Sequence, residues 1–145
     1  MVASAELGSL LRRAGDDLGV APRATLTLLL ADDAELRALN GRFLGVDAPT
    51  DVLAFPAGDA LEHRALGSGA RVGDIAISVE QAAIQGSEPA AELRLLAVHG
   101  LLHCLGHDHA ESGQAARMTA VTRQLLPNQE VPELQPAAEA SRPWR

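Results

Sequence analysis

Lysine is missing from this chain. All 12 basic residues are arginine, set against 19 acidic ones, for a formal net charge of -7. That balance excludes the strongly basic surface of a general nucleic-acid clamp. Any contact with RNA is confined to a local arginine-lined cleft, a metal or a partner protein, and affinity for free RNA should be weak and salt-sensitive. Cysteine is nearly absent as well. Cys104 stands alone, which excludes an internal disulfide and suits a reducing cytoplasm. No apolar run is long enough to span a bilayer: Leu93 to Leu105 is broken by Arg94, His99 and His103. The opening Met-Val-Ala-Ser-Ala-Glu has no basic flank ahead of an apolar stretch, so no signal peptide is expected. No internal repeat is visible. A soluble, cytoplasmic protein without membrane contact is the expectation.

What is present is a chain of 145 residues, 47% of them hydrophobic, enough for one domain with a proper core. Leu7, Leu10, Leu11, Ala14 and Leu18 recur at helical spacing over Glu6 to Leu18. Thr25 to Leu30 reads as a buried strand, and Ala34 to Asn40 as a short helix capped by Asp32 or Asp33. A loop containing Gly41, Gly45, Asp47 and Pro49 leads to a short strand, Thr50 to Pro56. Gly58 to Gly69 reads as a loop or hairpin, with His63 a solvent residue. Arg71 to Val79 reads as a strand with Val72, Asp74, Ala76 and Ser78 facing away from Ile75 and Ile77. Glu80 to Gln85 is helical up to Gly86. A helix capped by Ser87 runs from Pro89 to about Leu105, and a last one covers Glu111 to Leu126. Strands alternating with helices predict an α/β or α+β sandwich, a small mixed sheet packed with helices. Residues 1-126 form the single domain. Residues 127-145, with Pro127, Pro132, Pro136 and Pro143, read as a disordered tail.

Four of the five histidines fall within eleven residues, His99-Gly-Leu-Leu-His-Cys-Leu-Gly-His-Asp-His109. Four residues advance an α-helix by about 400°, so His99 and His103 share a face and can reach one ion. An unbroken helix would add His107 to that row. Gly106 is the residue type that ends a helix in a left-handed turn, and a reversal there carries His109 over the same ion. Three neutral imidazoles and an open fourth position, completed by solvent, describe a catalytic zinc site. The spacing is that of His-x-x-x-His-x-x-Gly-x-x-His, but Gly100 stands where a zinc protease carries its general-base glutamate. Cys104, about 100° around the helix from His103, reads as a buried small hydrophobe.

The histidine segment resembles the signature His-Gly-x-Leu-His-x-x-Gly-Tyr-Asp-His of the rRNA maturation factor YbeY family of metal-dependent endoribonucleases. Asp47-Ala-Pro-Thr-Asp-Val-Leu-Ala-Phe-Pro56 is similar to that family's Asp-x-Pro-Thr-Asp-Val-Leu-Ser-Phe-Pro, and Gly73-Asp-Ile-Ala-Ile-Ser78 to its Gly-Asp-Ile-x-Ile-Ser. The three segments occur in family order and the likeness spans roughly Thr25 to Leu126. It implies an α/β sandwich around a mixed sheet, one metal ion held by His99, His103 and His109, and cleavage of single-stranded RNA in 16S rRNA 3′-end maturation and ribosome quality control. Implied partners are ribosomal RNA and the ribosomal subunit or its assembly proteins. His107 sits at the family's tyrosine. Two residues depart from the pattern: Ala54 replaces a serine, and Phe43-Leu44 stands where the family has an aromatic-Arg pair.

A zinc ion held by three histidines brings the pKa of its water toward neutrality and polarises a phosphoryl oxygen. Attack by hydroxide and attack by the RNA 2′-hydroxyl both fit this residue set. With Gly100 in place of glutamate the general base is unassigned, and Asp108 reads as an orienter of a neighbouring ligand. Arg42, two residues before Leu44, is the candidate for the missing catalytic arginine. Arg71 is either a phosphate contact or a strand-end charge; Thr50 and Asp51 either shape the cleft or cap a turn. Two other functions are open to the same residues: a zinc peptidase or amidase, and a non-catalytic zinc-containing ribosome-assembly factor.

Overall fold

The computed structural model describes residues 4–57, 71–86 and 88–136. Among them are five helices and three strands: α1 (Ser4–Asp17), β1 (Thr25–Ala31), α2 (Asp33–Leu44), β2 (Val52–Pro56), β3 (Arg71–Ser78), α3 (Val79–Gln85), α4 (Pro89–Cys104) and α5 (Ser112–Leu125). The sheet is mixed, in the order β1-β3-β2, with β1 parallel and β2 antiparallel to the central β3. Alternation along the strands divides the core in two. Val52, Ala54, Ile75 and Ile77 face one way, with Leu7, Leu10 and Leu11 of α1 and Leu93, Ala97 and Leu101 of α4. Leu53 and Ala76 face the other way, against Leu36 of α2. The expected sandwich of helices around a small mixed sheet is therefore present.

The end of α2 and the facing of Val72 differ from the pattern reading. Gly41 does not stop α2, which continues to Leu44 and ends where Gly45 takes a left-handed φ of 69°, its N–H bonded to the Gly41 carbonyl. A single glycine costs a helix about 1 kcal/mol, and that is not enough to break one whose far end still packs. Leu44 does so, lying partly buried against the cluster of Leu36, Leu53 and Ala76. Val72 faces the α4 side with Ile75 and Ile77 rather than away from them. The β1–β3 register slips between Thr25 and Leu26, where the partners pass from Arg71 to Gly73, and the extra residue of this bulge reverses the alternation. Gly73 has φ 154°, and a Cβ there would meet the Phe55 carbonyl oxygen at 2.5 Å and Cys104 Sγ at 2.9 Å. Only glycine fits.

The change of character expected at Pro127 is not a release from the fold. Val131 is buried in the main core. Arg123 donates two hydrogen bonds to the Val131 carbonyl, Leu134 N–H donates to Thr119 Oγ1, and Gln129 joins Arg94 and the Ala91 carbonyl. Residues 127–136 strap α5 to the start of α4; the rest of the expected tail lies outside the described residues. So do the 58–69 excursion with His63, and Ser87, the expected cap. The residue preceding α4 is Glu88, which makes no side-chain cap. No helix among the described residues is long and apolar enough to cross a membrane.

Candidate metal centre

Helix α4 lies on the sheet so closely that one residue on its inner face has no room for a side chain. A Cβ on Gly100 would stand 2.7 Å from Ile75 Cγ2. This contact fixes the rotation of the helix. With Gly100 and Cys104 on the sheet, His99 and His103 emerge about a third of a turn away, one above the other. The helix then ends at Gly106, whose φ is 96°. Gly106 N–H donates to the His103 carbonyl at 3.0 Å and His107 N–H to the Leu102 carbonyl at 2.9 Å. This paired closure is the Schellman arrangement. It turns the chain back, and Asp108 accepts a 2.8 Å hydrogen bond from the His109 backbone N–H.

The reversal brings His109 to the two helical histidines. Their ring centroids are 4.6 Å apart for His99–His103, 5.4 Å for His99–His109 and 5.2 Å for His103–His109. One nitrogen from each ring can be chosen so that all three lie within 4.8 Å of one another. His99 Nε2 and His103 Nε2 are 3.1 Å apart. Two nitrogens each 2.0–2.1 Å from a tetrahedral zinc stand about 3.3 Å apart, so the pair is set at ligand spacing. His109 is buried and neither of its ring nitrogens has a hydrogen-bond partner. A buried polar atom without a partner is costly, and a cation facing all three rings removes that cost. The residues present fit a divalent metal ion.

Electrostatics favour the same use. Burial, with His103 and His109 adding to it, pushes the His99 pKa from 6.5 down to about 3. His103 falls to about 4, again chiefly through burial and then His109; Asp108 and a hydrogen bond to the His107 backbone oppose the shift. Both rings are neutral at pH 7, as metal ligands must be. The contact with the His107 backbone also fixes the His103 ring, the usual way a ligand's second nitrogen is held. His107 itself is half-buried and stands outside the three-ring cluster. Cys104 is buried, its thiol pushed up to about 12 by burial and by Asp74. It is a packing residue, as its place on the helix predicts.

Other candidates lie elsewhere. Arg71 is taken up by Thr27 Oγ1 at 3.0 Å and by an ion pair with Asp74, which favours the strand-end reading. Thr50 and Asp51 are buried where β2 begins, with the Asp51 carbonyl accepting from Ser78 N–H at 2.8 Å. Arg42 sits in the last turn of α2, its guanidinium carbon 5.2 Å from the centre of the Phe43 ring. A groove of about 980 Å³ lined by Glu88, Glu92, Leu95, Arg123 and Val131 opens at the other end of α4 and includes no histidine. Phe43 drew no functional reading from the sequence, yet it is 57% exposed. In a chain with two phenylalanines and one tryptophan, an aromatic beside an arginine was the available signal.

A helix-borne histidine pair joined by a third histidine after a glycine turn, on a mixed sheet, defines an α+β protein whose three clustered histidines could hold a metal ion. The Endoribonuclease YbeY family model matches residues 3–130. Endoribonuclease YbeY of Salinispora tropica is 44% identical over 126 residues, covering 79% of this chain and 80% of its own. Its namesake from Moorella thermoacetica is 42% identical over 132 residues, covering 83% and 82%. The chain belongs to the endoribonuclease YbeY family. Among solved structures, the solution structure of TM1509 from Thermotoga maritima superposes with a TM-score of 0.55 at 22% identity, over 85% of this chain and 81% of that one. That likeness speaks for the fold.

Proposed function

We propose that this protein is a zinc-dependent endoribonuclease that cuts single-stranded segments of ribosomal RNA, in 16S rRNA 3′-end maturation and ribosome quality control, in the cytoplasm. The observation that carries the reading is the convergence of His99, His103 and His109 with the His109 nitrogens unpartnered, in a chain of the endoribonuclease YbeY family. These three residues would hold one ion per chain. When bound, zinc supplies Lewis-acid polarisation of a phosphoryl oxygen and acidifies water. The protein's own groups do the rest. Burial keeps the two helical imidazoles unprotonated, the Gly106 turn holds His109 in place, and Arg42 offers a guanidinium to a phosphate. Ribosomal RNA within the subunit, or an assembly protein bound to it, would supply the affinity that a chain of net charge -7 lacks for free RNA.

The peptidase alternative is disfavoured by Gly100. A glutamate at that position would be driven into Ile75 instead of toward the histidines. The non-catalytic assembly factor is favoured by one observation, the packing of Leu44 into the α2-side core at the position of the family's arginine. Cleavage of a single-stranded RNA oligomer, with and without chelator and beside a peptide substrate, separates the three. The proposal expects chelator-sensitive RNA cleavage and no peptide cleavage. Zinc-replete protein that leaves RNA intact would move the reading to the assembly factor.

A further inference from the structure

We infer that Phe43, flanked by Arg42, is a stacking platform for one unpaired base of the RNA strand that reaches the histidine centre. The inference rests on the ribonuclease reading above and adds to it a subsite. Both phenylalanines of the chain are gathered here: the Phe43 and Phe55 rings lie 5.4 Å apart at 59°. Phe55 belongs to the α2-side core and anchors the pair. Phe43 is 57% exposed, a large apolar surface left to solvent, with the Phe55 ring and the Arg42 guanidinium beside it. The Arg42 guanidinium over its ring, 5.2 Å from the centroid, is a planar cation standing where a planar base would stack. Arg42 is exposed, so its side chain can leave the ring for a phosphate when a base arrives.

The platform is tied to the metal centre through the backbone. Phe55 pairs with Asp74 in the sheet. Its main chain hydrogen-bonds the Cys104 thiol, which also approaches the Asp74 carbonyl at 3.9 Å. Cys104 follows His103 directly. Phe43 and the histidines therefore occupy the same end of the sheet, on its two faces, joined across the end of β2. An extended strand crossing that end would set one base on Phe43 and carry a phosphate further along the strand toward the histidines. The chemistry selects single strands, because a base within a duplex has no free face to stack. It is tolerant of base identity, because every base presents a π face.

The test is the kinetics of the zinc-loaded protein and of Phe43→Leu and Phe43→Trp on a single-stranded RNA oligomer, with metal content and circular dichroism recorded for each. Phe43→Leu should raise KM about tenfold, the loss of about one stacked base, with a much smaller fall in kcat. Phe43→Trp should restore KM, which a structural role of Phe43 in α2 would not do. A wild-type protein inert toward RNA would remove the ribonuclease reading and this subsite with it. Wild-type cleavage with KM unmoved by Phe43→Leu would overturn the subsite alone, leaving Phe43 as a contact for a protein partner. A KM raised equally by both variants would also overturn it, because stacking requires that tryptophan rescue.

Discussion

At the scale of single residues, the centre depends on His109, and the ligand set can be checked one side chain at a time. His99 and His103 were legible in the sequence because a spacing of four is a property of the helix alone. The proposed third ligand, His109, needed one further local fact, that Gly106 would take a left-handed turn, and its φ of 96° supplies it. Elemental analysis should find about one zinc per chain, lost in His103→Ala and His109→Ala and kept in His107→Ala. Loss in His107→Ala with retention in His109→Ala would reverse that assignment. Arg42 was harder to read, because its surroundings depend on where α2 ends. With Leu44 packed into the α2-side core, Arg42 is the exposed guanidinium of that turn, and an arginine fork stabilises developing phosphoryl charge. Arg42→Ala should cut kcat/KM for RNA at least tenfold, about 1.4 kcal/mol of transition-state stabilisation, at constant metal content. An unchanged rate would send the search to other arginines, with Leu44→Arg as the complementary test: a rate rise there would restore the family's own position.

Elements were legible wherever periodicity was long and poorly legible wherever one residue reset it. Helices α1, α4 and α5 and all three strands follow their apolar pattern to within a few residues. The facing of Val72 does not, because the bulge at Gly73 inserts a residue that no alternation rule anticipates. The extent of α2 does not either, since a glycine inside a helix and a glycine ending one look alike until the packing beyond is known. The two glycines that set the helix–sheet distance make a sharp prediction. Gly100→Ala gains about 1 kcal/mol of helix propensity and loses about 1–3 kcal/mol by overpacking against Ile75. With Cγ2 only 2.7 Å away, the net should be a loss of about 1–2 kcal/mol. Gly73→Ala meets main-chain oxygen as well as strain at φ 154°, and should lose about 3 kcal/mol or more. Denaturant titration measures both. A stabilised Gly100→Ala would mean that α4 can lift off the sheet, and its metal content should then fall too.

For the whole molecule, the fold and the centre depend on each other, and removing the ion exposes that dependence. Nine successive residues of α4, Leu96 through Cys104, are buried, as is Leu93, so the helix cannot rotate to relieve three converging imidazoles. Binding only to the folded protein, zinc at about 100 times its Kd adds about 2.7 kcal/mol. In a domain of this size that is about 5–10 °C in thermal midpoint. Chelation should remove that increment. The metal-free protein should then become acid-sensitive in a particular window. His99 and His103 bind protons near pH 3 and 4 when folded but near 6.5 when unfolded. Between those values the unfolded chain carries more protons, so stability rises with pH across the window and is lost as pH falls from about 6.5 toward 4. The midpoint of chelated protein should be level above pH 7 and drop steadily below 6.5, before most carboxylates begin to titrate. His99→Phe with His103→Leu, which cannot take up those protons, should flatten the fall. A midpoint of the chelated wild type that stayed level from pH 7 to 5 would mean that the histidines are not held neutral by burial, and the tight triad would then have to open when its ion leaves.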